Sequence, residues 1–573
     1  VRERRVIALN DQTFDAHPGQ TAGLVGEAAL IAAIEAPRSS HMSDIVSTIQ
    51  SEQDRIIRAP LHQVAIVQGG PGTGKTAVGL HRAAYLLYSH RGEIGPGGVL
   101  LIGPNTRFLD YVRNVIPNLG EDARLTTVGS LHSGVSTTVR DSPDVAFVKG
   151  DEAMVEVITR AIAAFQRVPA SNHPITVQSG EVIITRKVVL TARRVARRSG
   201  LPHNEARGKF AHALRRQLAE QMTGASDTED DAAHILDTSQ ELGLVIDALW
   251  PTLTPERLID SIFTDPVVHE RSAVATLGEP VATKLLREPR ADWTVEDVAL
   301  LDEAQHWLGQ ATTHSQRKTA GSDQIRRRLL AQRTLDAMSD TNLLDVDQLI
   351  ERLDGPDQRI DSSQNERHWK YGHVIVDEAQ DLSAMQWRAV ARRSRTSVTI
   401  LGDLAQRTTP AGAKDWEGAL TPHFGSSTLL YELTINYRSP AEIDPIARAI
   451  LQRTDAQGNH PSSVRSSGHD PHVVRVPAQH LHRELATILA SPASEIGTGA
   501  VIGVPSPDLP PNWIGLTNAA EAKGLEFDTI VVVDPHSILE RSGYEGLYIA
   551  TTRATQKLVV LVDQSRPRID ELE

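Results

Sequence analysis

The chain has 573 residues, more than one hydrophobic core can organise, so three or four domains are expected. Cysteine is absent, which excludes a disulfide framework and any thiolate metal site. The 59 basic and 72 acidic residues leave a net charge of −13, which argues against a surface built mainly to hold nucleic acid.

Residues 1–58 read as an N-terminal segment leading into a first α/β unit. The sequence opens without methionine inside a strand-like run, Arg5-Val6-Ile7-Ala8-Leu9, so a preceding part is expected. No apolar signal core follows Val1-Arg2-Glu3-Arg4-Arg5, and no run of about 18 apolar residues occurs. The expectation is a cytoplasmic monomer with no membrane partner. Met42 to Gln53 has helical period, with Ser43 as N-cap. Gln53 lies sixteen residues before Gly69, where its paired donor and acceptor could read an adenine edge. An exposed helical glutamine is the plainer reading.

Residues 59–135 carry the strongest signal. The apolar run Val64-Ala65-Ile66-Val67 leads into Gly69-Gly70-Pro71-Gly72-Thr73-Gly74-Lys75-Thr76, and a helical stretch follows through Tyr85. A strand, a glycine-rich turn and a helix N-terminus make a phosphate-binding P-loop, whose N–H groups and helix dipole face the phosphate oxygens. Lys75 is placed to reach the β- and γ-phosphates, and the Thr76 hydroxyl to ligate Mg²⁺. A nucleoside triphosphate, ATP with Mg²⁺, is the expected ligand. Val99-Leu100-Leu101-Ile102 then reads as a strand buried on both faces, which implies a parallel sheet.

Residues 136–300 are mainly helical and arginine-rich. Arg193, Arg194, Arg197 and Arg198 share one helix face, either solvated or in contact with phosphate or an acidic protein. Residues 301–372 form an acidic connection, densest from Asp336 to Asp361, that would be a soluble link, a nucleic-acid mimic or a reach toward a basic, metal-bearing channel. Alternation returns in residues 373–425, where strands at 373–376 and 397–401 run into Asp377-Glu378-Ala379-Gln380-Asp381 and Gly402-Asp403-Leu404-Ala405-Gln406. Residues 426–573 form a last α/β block with strands at 529–533 and 558–562.

Asp-Glu-Ala-Gln occurs twice. The copy at 302–305 lies in a helix-like run and is taken as structural. The copy at 377–380 ends an apolar strand, where ligands bind in open α/β sheets. Asp377 is therefore assigned to Mg²⁺ and Glu378 to polarising the attacking water. Gln406, ending the next strand, would sense the γ-phosphate. Arg438 and Arg553, in Asn436-Tyr437-Arg438-Ser439 and Thr551-Thr552-Arg553-Ala554, are candidate arginine fingers for charge on the transferring phosphoryl group.

With Gln53 and Lys523-Gly524-Leu525-Glu526-Phe527-Asp528, these motifs resemble, in order, those of the UvrD/Rep-like superfamily 1 helicases. The resemblance spans roughly 50–130 and 373–573. It implies two RecA-like P-loop NTPase domains, with a large, mainly helical insertion in the first. It also implies that Tyr437 stacks on adenine, Arg438 and Arg553 contact the γ-phosphate, and Glu526 lies near the ribose.

The departures narrow the resemblance. The stretch after Gln406, aromatic-rich in helicases that grip bases, holds one late aromatic, Trp416. Base–aromatic stacking is worth about 1–3 kcal/mol per base, so a translocase would lose grip there. Ala77 follows Lys75-Thr76 where arginine is usual, and Ala520 stands near the place of a helicase histidine. Arg438 to Lys523 is too short for a large accessory domain, and the long insertion falls between 135 and 372.

This pattern, with Met42-Ser43-Asp44-Ile45-Val46 and Trp293-Thr294-Val295, is similar to the HelD/HelR family, helicase-like ATPases that bind bacterial RNA polymerase and release it from nucleic acid. That resemblance implies a polymerase partner, with nucleic-acid contact weak or indirect, and extends in some relatives to rifamycin resistance. The family's N-terminal coiled coil has no counterpart in this sequence. The alternatives are a UvrD/Rep-type ATP-dependent 3'-5' DNA helicase of repair, or a non-catalytic interaction protein.

Overall fold

The computed structural model describes residues 51–115, 123–132, 134–178, 180–222, 229–310, 370–454, 460–490, 497–503 and 509–572. The acidic run from Asp336 to Asp361 and most of the N-terminal segment lie outside these residues.

Two parallel sheets dominate an α/β architecture. The first contains β1 (Val64–Gly69), β2 (Val99–Gly103) and β3 (Ala123–Thr127). After β1 comes helix α1 (Lys75–Ser89). Beyond β3 the chain leaves this sheet for a helical block containing α2 (Met154–Phe165), the antiparallel hairpin β4 (His173–Val177) and β5 (Gly180–Ile184), and α3 (Arg186–Arg198). The block continues through α4 (His203–Met222), α5 (Pro255–Thr264) and α6 (Val295–Leu308). The chain then returns with β6 (Tyr371–Val376), α7 (Ala384–Arg393), β7 (Ser394–Gly402) and β8 (Thr428–Leu433). Strand order is β3-β2-β6-β7-β1-β8, with β8 parallel to β1.

The short strands β9 (Ile435–Pro440) and β10 (Ser462–Arg465) pair with each other. The second sheet follows, built from β11 (His472–Val476), β12 (Gly499–Ile502), β13 (Trp513–Leu516), β14 (Phe527–Val533) and β15 (Ala554–Asp563), in the order β11-β15-β14-β12-β13. Helix α8 (Pro535–Thr551), interrupted at Gly543, connects β14 to β15.

The period of two along each strand divides its apolar residues between two cores. In the first sheet Ile66, Ile102, Val376 and Ile400 face one core, while Val67, Leu101, Ile375 and Leu401 face the other. The second sheet repeats the pattern, with Ile530 and Val560 on one side and Val531 and Val559 on the other. Strands covered on both faces must be apolar throughout, which is why they read as continuous runs.

Two expected boundaries meet continuous structure. Helix α6 runs through residue 300 to Leu308, because its capping box at Thr294 and Asp297 starts one helix with no break. The first sheet continues past 425, because β8 pairs with β1 over Val64–Gly69.

Candidate active site

Strands β6, β7 and β1 are neighbours in a parallel sheet, so the loops after them emerge at one edge. Those loops carry the P-loop, Asp377-Glu378 and Asp403–Gln406. Gly72 and Gly74 have φ of 73° and 80°, a left-handed conformation that glycine adopts without Cβ strain, and Gly74 hands the loop to α1. Lys75 is buried, with Nζ donating to the Gly69 and Gly70 carbonyls at 2.6 and 3.0 Å. Thr73 Oγ1 donates to Gly70 O at 2.9 Å, and Pro71 is buried beside it.

Thr76 Oγ1 donates to Asp377 Oδ2 at 2.7 Å, across 301 positions of chain. Burial and the neighbouring Glu378 charge push the Asp377 carboxyl above its ordinary range, against the Thr76 hydrogen bond and Lys75. A hydroxyl and a carboxylate side by side are hard oxygen donors of the kind Mg²⁺ takes while keeping water and phosphate ligands. The donor set therefore fits that ion. Among the described residues no group of three or more His, Cys, Asp or Glu could hold a metal alone.

Glu378 has φ 51° and ψ 40°, a conformation costly for a residue with a Cβ and found where a site over-determines the backbone. Its amide donates to Asp377 Oδ1 at 2.9 Å, and its carboxylate accepts from Gln380 Nε2 at 2.7 Å. Gln380 Oε1 accepts from the Asp403 amide at 3.1 Å, and Asp403 Oδ2 accepts from Gln406 Nε2 at 2.7 Å. Gln406 Oε1 in turn accepts from Arg553, at the end of α8. A hydrogen-bonded chain, buried from Gln380 onward, thus runs from Glu378 to Arg553 and joins the two sheets. Burial lowers the Arg553 guanidinium below its usual value, opposed by Glu378, Tyr548 and Asp403.

The second block reaches the P-loop elsewhere. The Tyr437 amide donates to Gly72 O at 3.3 Å, and a Cβ on Gly74 would stand 2.2 Å from the Tyr437 hydroxyl. Asn436, fully buried, accepts from the Arg438 and Ser439 amides at 3.0 and 3.1 Å. Arg438 forms an ion pair with Glu526. Lys523 pairs with Asp381, whose carboxyl burial would raise but Lys523 holds below the ordinary range. Gln53 is half-buried on the helix of residues 51–57, and no hydrogen bond among the described residues joins it to the loop.

Sequence reasoning assigned no role to Gln380, Asp403 or Gln68, although all three stand at strand ends. Gln68 Nε2 donates to Asp403 Oδ1 at 3.0 Å, and its Oε1 accepts from Trp416 Nε1 at 2.9 Å. Trp416 is thereby held in the core against Gly402.

The first Asp-Glu-Ala-Gln copy has a different setting. Glu303, fully buried, accepts from Arg388 Nη2 and Nε at 2.9 and 3.0 Å, Arg392 Nη1 at 2.6 Å and Trp307 Nε1 at 2.9 Å. Asp302 is held by Arg392 and by Arg393 at 2.8 Å. These contacts clamp α6 onto α7.

Residues 49–407 match the UvrD/REP helicase N-terminal domain, more than half of the chain, and residues 325–562 match the viral superfamily 1 RNA helicase core domain. No curated protein matches the chain. Among solved structures, the PRRSV helicase is 16% identical over 34% of this chain and 35% of its own, with a TM-score of 0.22. Arterivirus nonstructural protein 10, a helicase, is 19% identical over 34% of this chain and 39% of its own, also at 0.22. The C-terminal domain of a possible DNA helicase from Lactobacillus plantarum WCFS1 is 21% identical over 22% of this chain and 88% of its own, at 0.17. The chain spans less than half the length of the two viral helicases.

Proposed function

The chain belongs to the UvrD/REP helicase family, and from that premise we propose that it is an ATP-hydrolysing factor that releases bacterial RNA polymerase from nucleic acid. Family membership implies an NTP-hydrolysing enzyme of the superfamily 1 helicase type, using nucleotide and Mg²⁺. In this reading the two parallel sheets are RecA-like domains, and the helical block is an insertion in the first. The P-loop amides and Lys75 bind the phosphates, while Thr76 and Asp377 hold the ion, which would neutralise charge on the β- and γ-oxygens. Glu378 orients and polarises water. Arg438 and Arg553 approach the γ-phosphate from the second block, Tyr437 covers the base, and Glu526 lies toward the ribose.

The observation that carries hydrolysis is the hydrogen-bonded chain from Glu378 through Gln380, Asp403 and Gln406 to Arg553. It lets one block register what occupies the other. Release of polymerase in place of strand translocation is supported by Trp416, the sole aromatic of residues 407–416, which is committed to Gln68 and the core. A base-gripping platform at that place would need it exposed.

The test is the ATPase rate of the purified chain alone, with single-stranded DNA, and with core RNA polymerase. Co-elution with polymerase and little response to DNA are expected. Lys75→Ala should abolish turnover and leave polymerase binding intact. Strong stimulation by single-stranded DNA without polymerase binding would replace this reading with a DNA helicase.

A further inference from the structure

Near Arg438 and Arg553 the second block holds three polar residues outside every sequence motif, Asp444, His460 and Ser463. Asn436 Nδ2 donates to Ser463 Oγ at 3.0 Å, and that hydroxyl donates to Asp444 Oδ1 at 2.6 Å. The Ser463 amide donates to Asp444 Oδ2 at 2.9 Å. His460 comes next, with Nε2 3.1 Å from Asp444 Oδ1 and Nδ1 2.9 Å from the Tyr548 hydroxyl. One polar chain therefore links Asn436, just ahead of Arg438 on β9, to Tyr548, in the last turns of α8 ahead of Arg553.

The chemistry of these groups fixes the direction of each bond. Burial would raise the Asp444 carboxyl, but His460 and Ser463 hold it below its ordinary range, so it only accepts. His460 Nε2 is then a donor, and Nδ1 of the neutral ring is the acceptor. Burial and the Asp403 charge push the Tyr548 hydroxyl well above its ordinary value, against Arg553, so it keeps the proton it donates to Nδ1. The His460 side chain is 2% exposed, and Tyr548 is fully buried. Polar groups this far from water hold one geometry, because another would leave a donor or acceptor unpaired.

Both ends of the chain also meet the glycine-rich loop. A Cβ on Gly72 would stand 2.1 Å from Asn436 Oδ1. One on Gly70 would stand 2.4 Å from Cδ of Pro461, which follows His460, and 3.6 Å from the Tyr548 hydroxyl. At the end of α8, Thr552 Oγ1 donates to Tyr548 O at 2.6 Å, and Ser439 Oγ donates to Thr552 O at 3.3 Å. The segment that ends in Arg553 is thus tied to the strand of Arg438 on two sides.

We infer that His460 is a positioning residue for Arg553, fixing its guanidinium relative to Arg438 beside the glycine-rich loop. The inference rests on the hydrolysis reading and extends it to a residue that acts through Tyr548 and Asp444. An arginine finger works only in place, and a displacement of about 1 Å costs a factor of about 100 in rate.

The experiment measures single-turnover ATP hydrolysis and fluorescent-nucleotide binding in the full chain. Wild type is compared with His460→Ala, Tyr548→Phe, Lys75→Ala and Arg553→Ala, each checked for folding by circular dichroism. His460→Ala should lower the rate about 100-fold and leave nucleotide affinity within about twofold. Tyr548→Phe keeps the ring in the core and removes only the hydroxyl, and should slow hydrolysis by about tenfold or more. Added to Arg553→Ala, His460→Ala should cost less than about threefold, because the group it positions is already gone. An equal loss in both backgrounds, a loss confined to affinity, or wild-type rates in Tyr548→Phe would overturn the inference. Wild-type rates in His460→Ala with Lys75→Ala inactive would overturn it and leave the hydrolysis reading standing. A wild type that turns over no ATP would overturn both.

Discussion

Glu303→Gln and Glu378→Gln change the same letter of the same four-residue motif, and the structure predicts opposite consequences. Both oxygens of Glu303 each accept two N–H groups, from Arg388, Arg392 and Trp307. An amide there turns one acceptor into a donor facing donors and leaves two arginines short of their counter-charge. Breaking one partner of a buried pair costs about 3–5 kcal/mol. At roughly 2–4 °C per kcal/mol for a unit of this size, the transition that reports the helical block should fall by on the order of 6 °C or more. Calorimetry on the apo chain reads this directly, and kcat of the surviving folded protein should stay near the wild-type value. Glu378 is half-buried and, among the described residues, its carboxylate is hydrogen-bonded by the Gln380 side chain alone, so its amide should leave that transition within about a degree while abolishing steady-state hydrolysis. A Glu303→Gln protein with an unmoved transition and lost turnover would refute the assignment of the two copies.

Acid should undo the same clamp. Burial would raise the Asp302 and Glu303 carboxyls, but Arg393 and Arg392 hold Asp302 below its ordinary value, and Arg388 and Arg392 do so for Glu303. Folded values below unfolded ones stabilise above the unfolded pKa of about 4, and that stability is lost as pH falls further. The helical-block transition should therefore drop more steeply below about pH 4 in the wild type than in Glu303→Gln, read by circular dichroism against pH. Arg553→Ala should cut kcat by about 10³–10⁵ with nucleotide affinity little changed, measured by single-turnover kinetics and fluorescent-nucleotide titration. A loss confined to affinity would count against a role at the transferring phosphoryl group. Trp416→Ala should cost about 3–5 kcal/mol of stability in denaturant titration and leave single-stranded DNA affinity unmoved, because the ring packs in the core.

The local structure of residues 64–76 was legible in the sequence because strand, turn and helix follow within a few residues, and Gly72 and Gly74 adopt the positive φ that their lack of a Cβ allows. The strands ending at Val376 and Gly402 were legible for the same reason, since apolar runs buried on both faces announce themselves. The copy at 377–380 was assigned to the site from its place at a strand end, and α6 and α7 set the copy at 302–305 against three arginines. The connection from Glu378 to Arg553 was not legible. It depends on Gln380 and Asp403, polar residues whose importance comes only from what lies opposite them once β6, β7 and α8 meet. The same holds for the pairing of β8 with β1, which carries the first sheet past the expected boundary. Local patterning by itself determined the glycine-rich turn and the apolar strands, because backbone sterics and burial act on neighbours in sequence. The direct hydrogen bonds between residues more than a hundred positions apart, Thr76 to Asp377 and Arg553 to Gln406, were decided by the tertiary structure alone, because a hydrogen bond specifies a geometry that no spacing along the chain encodes.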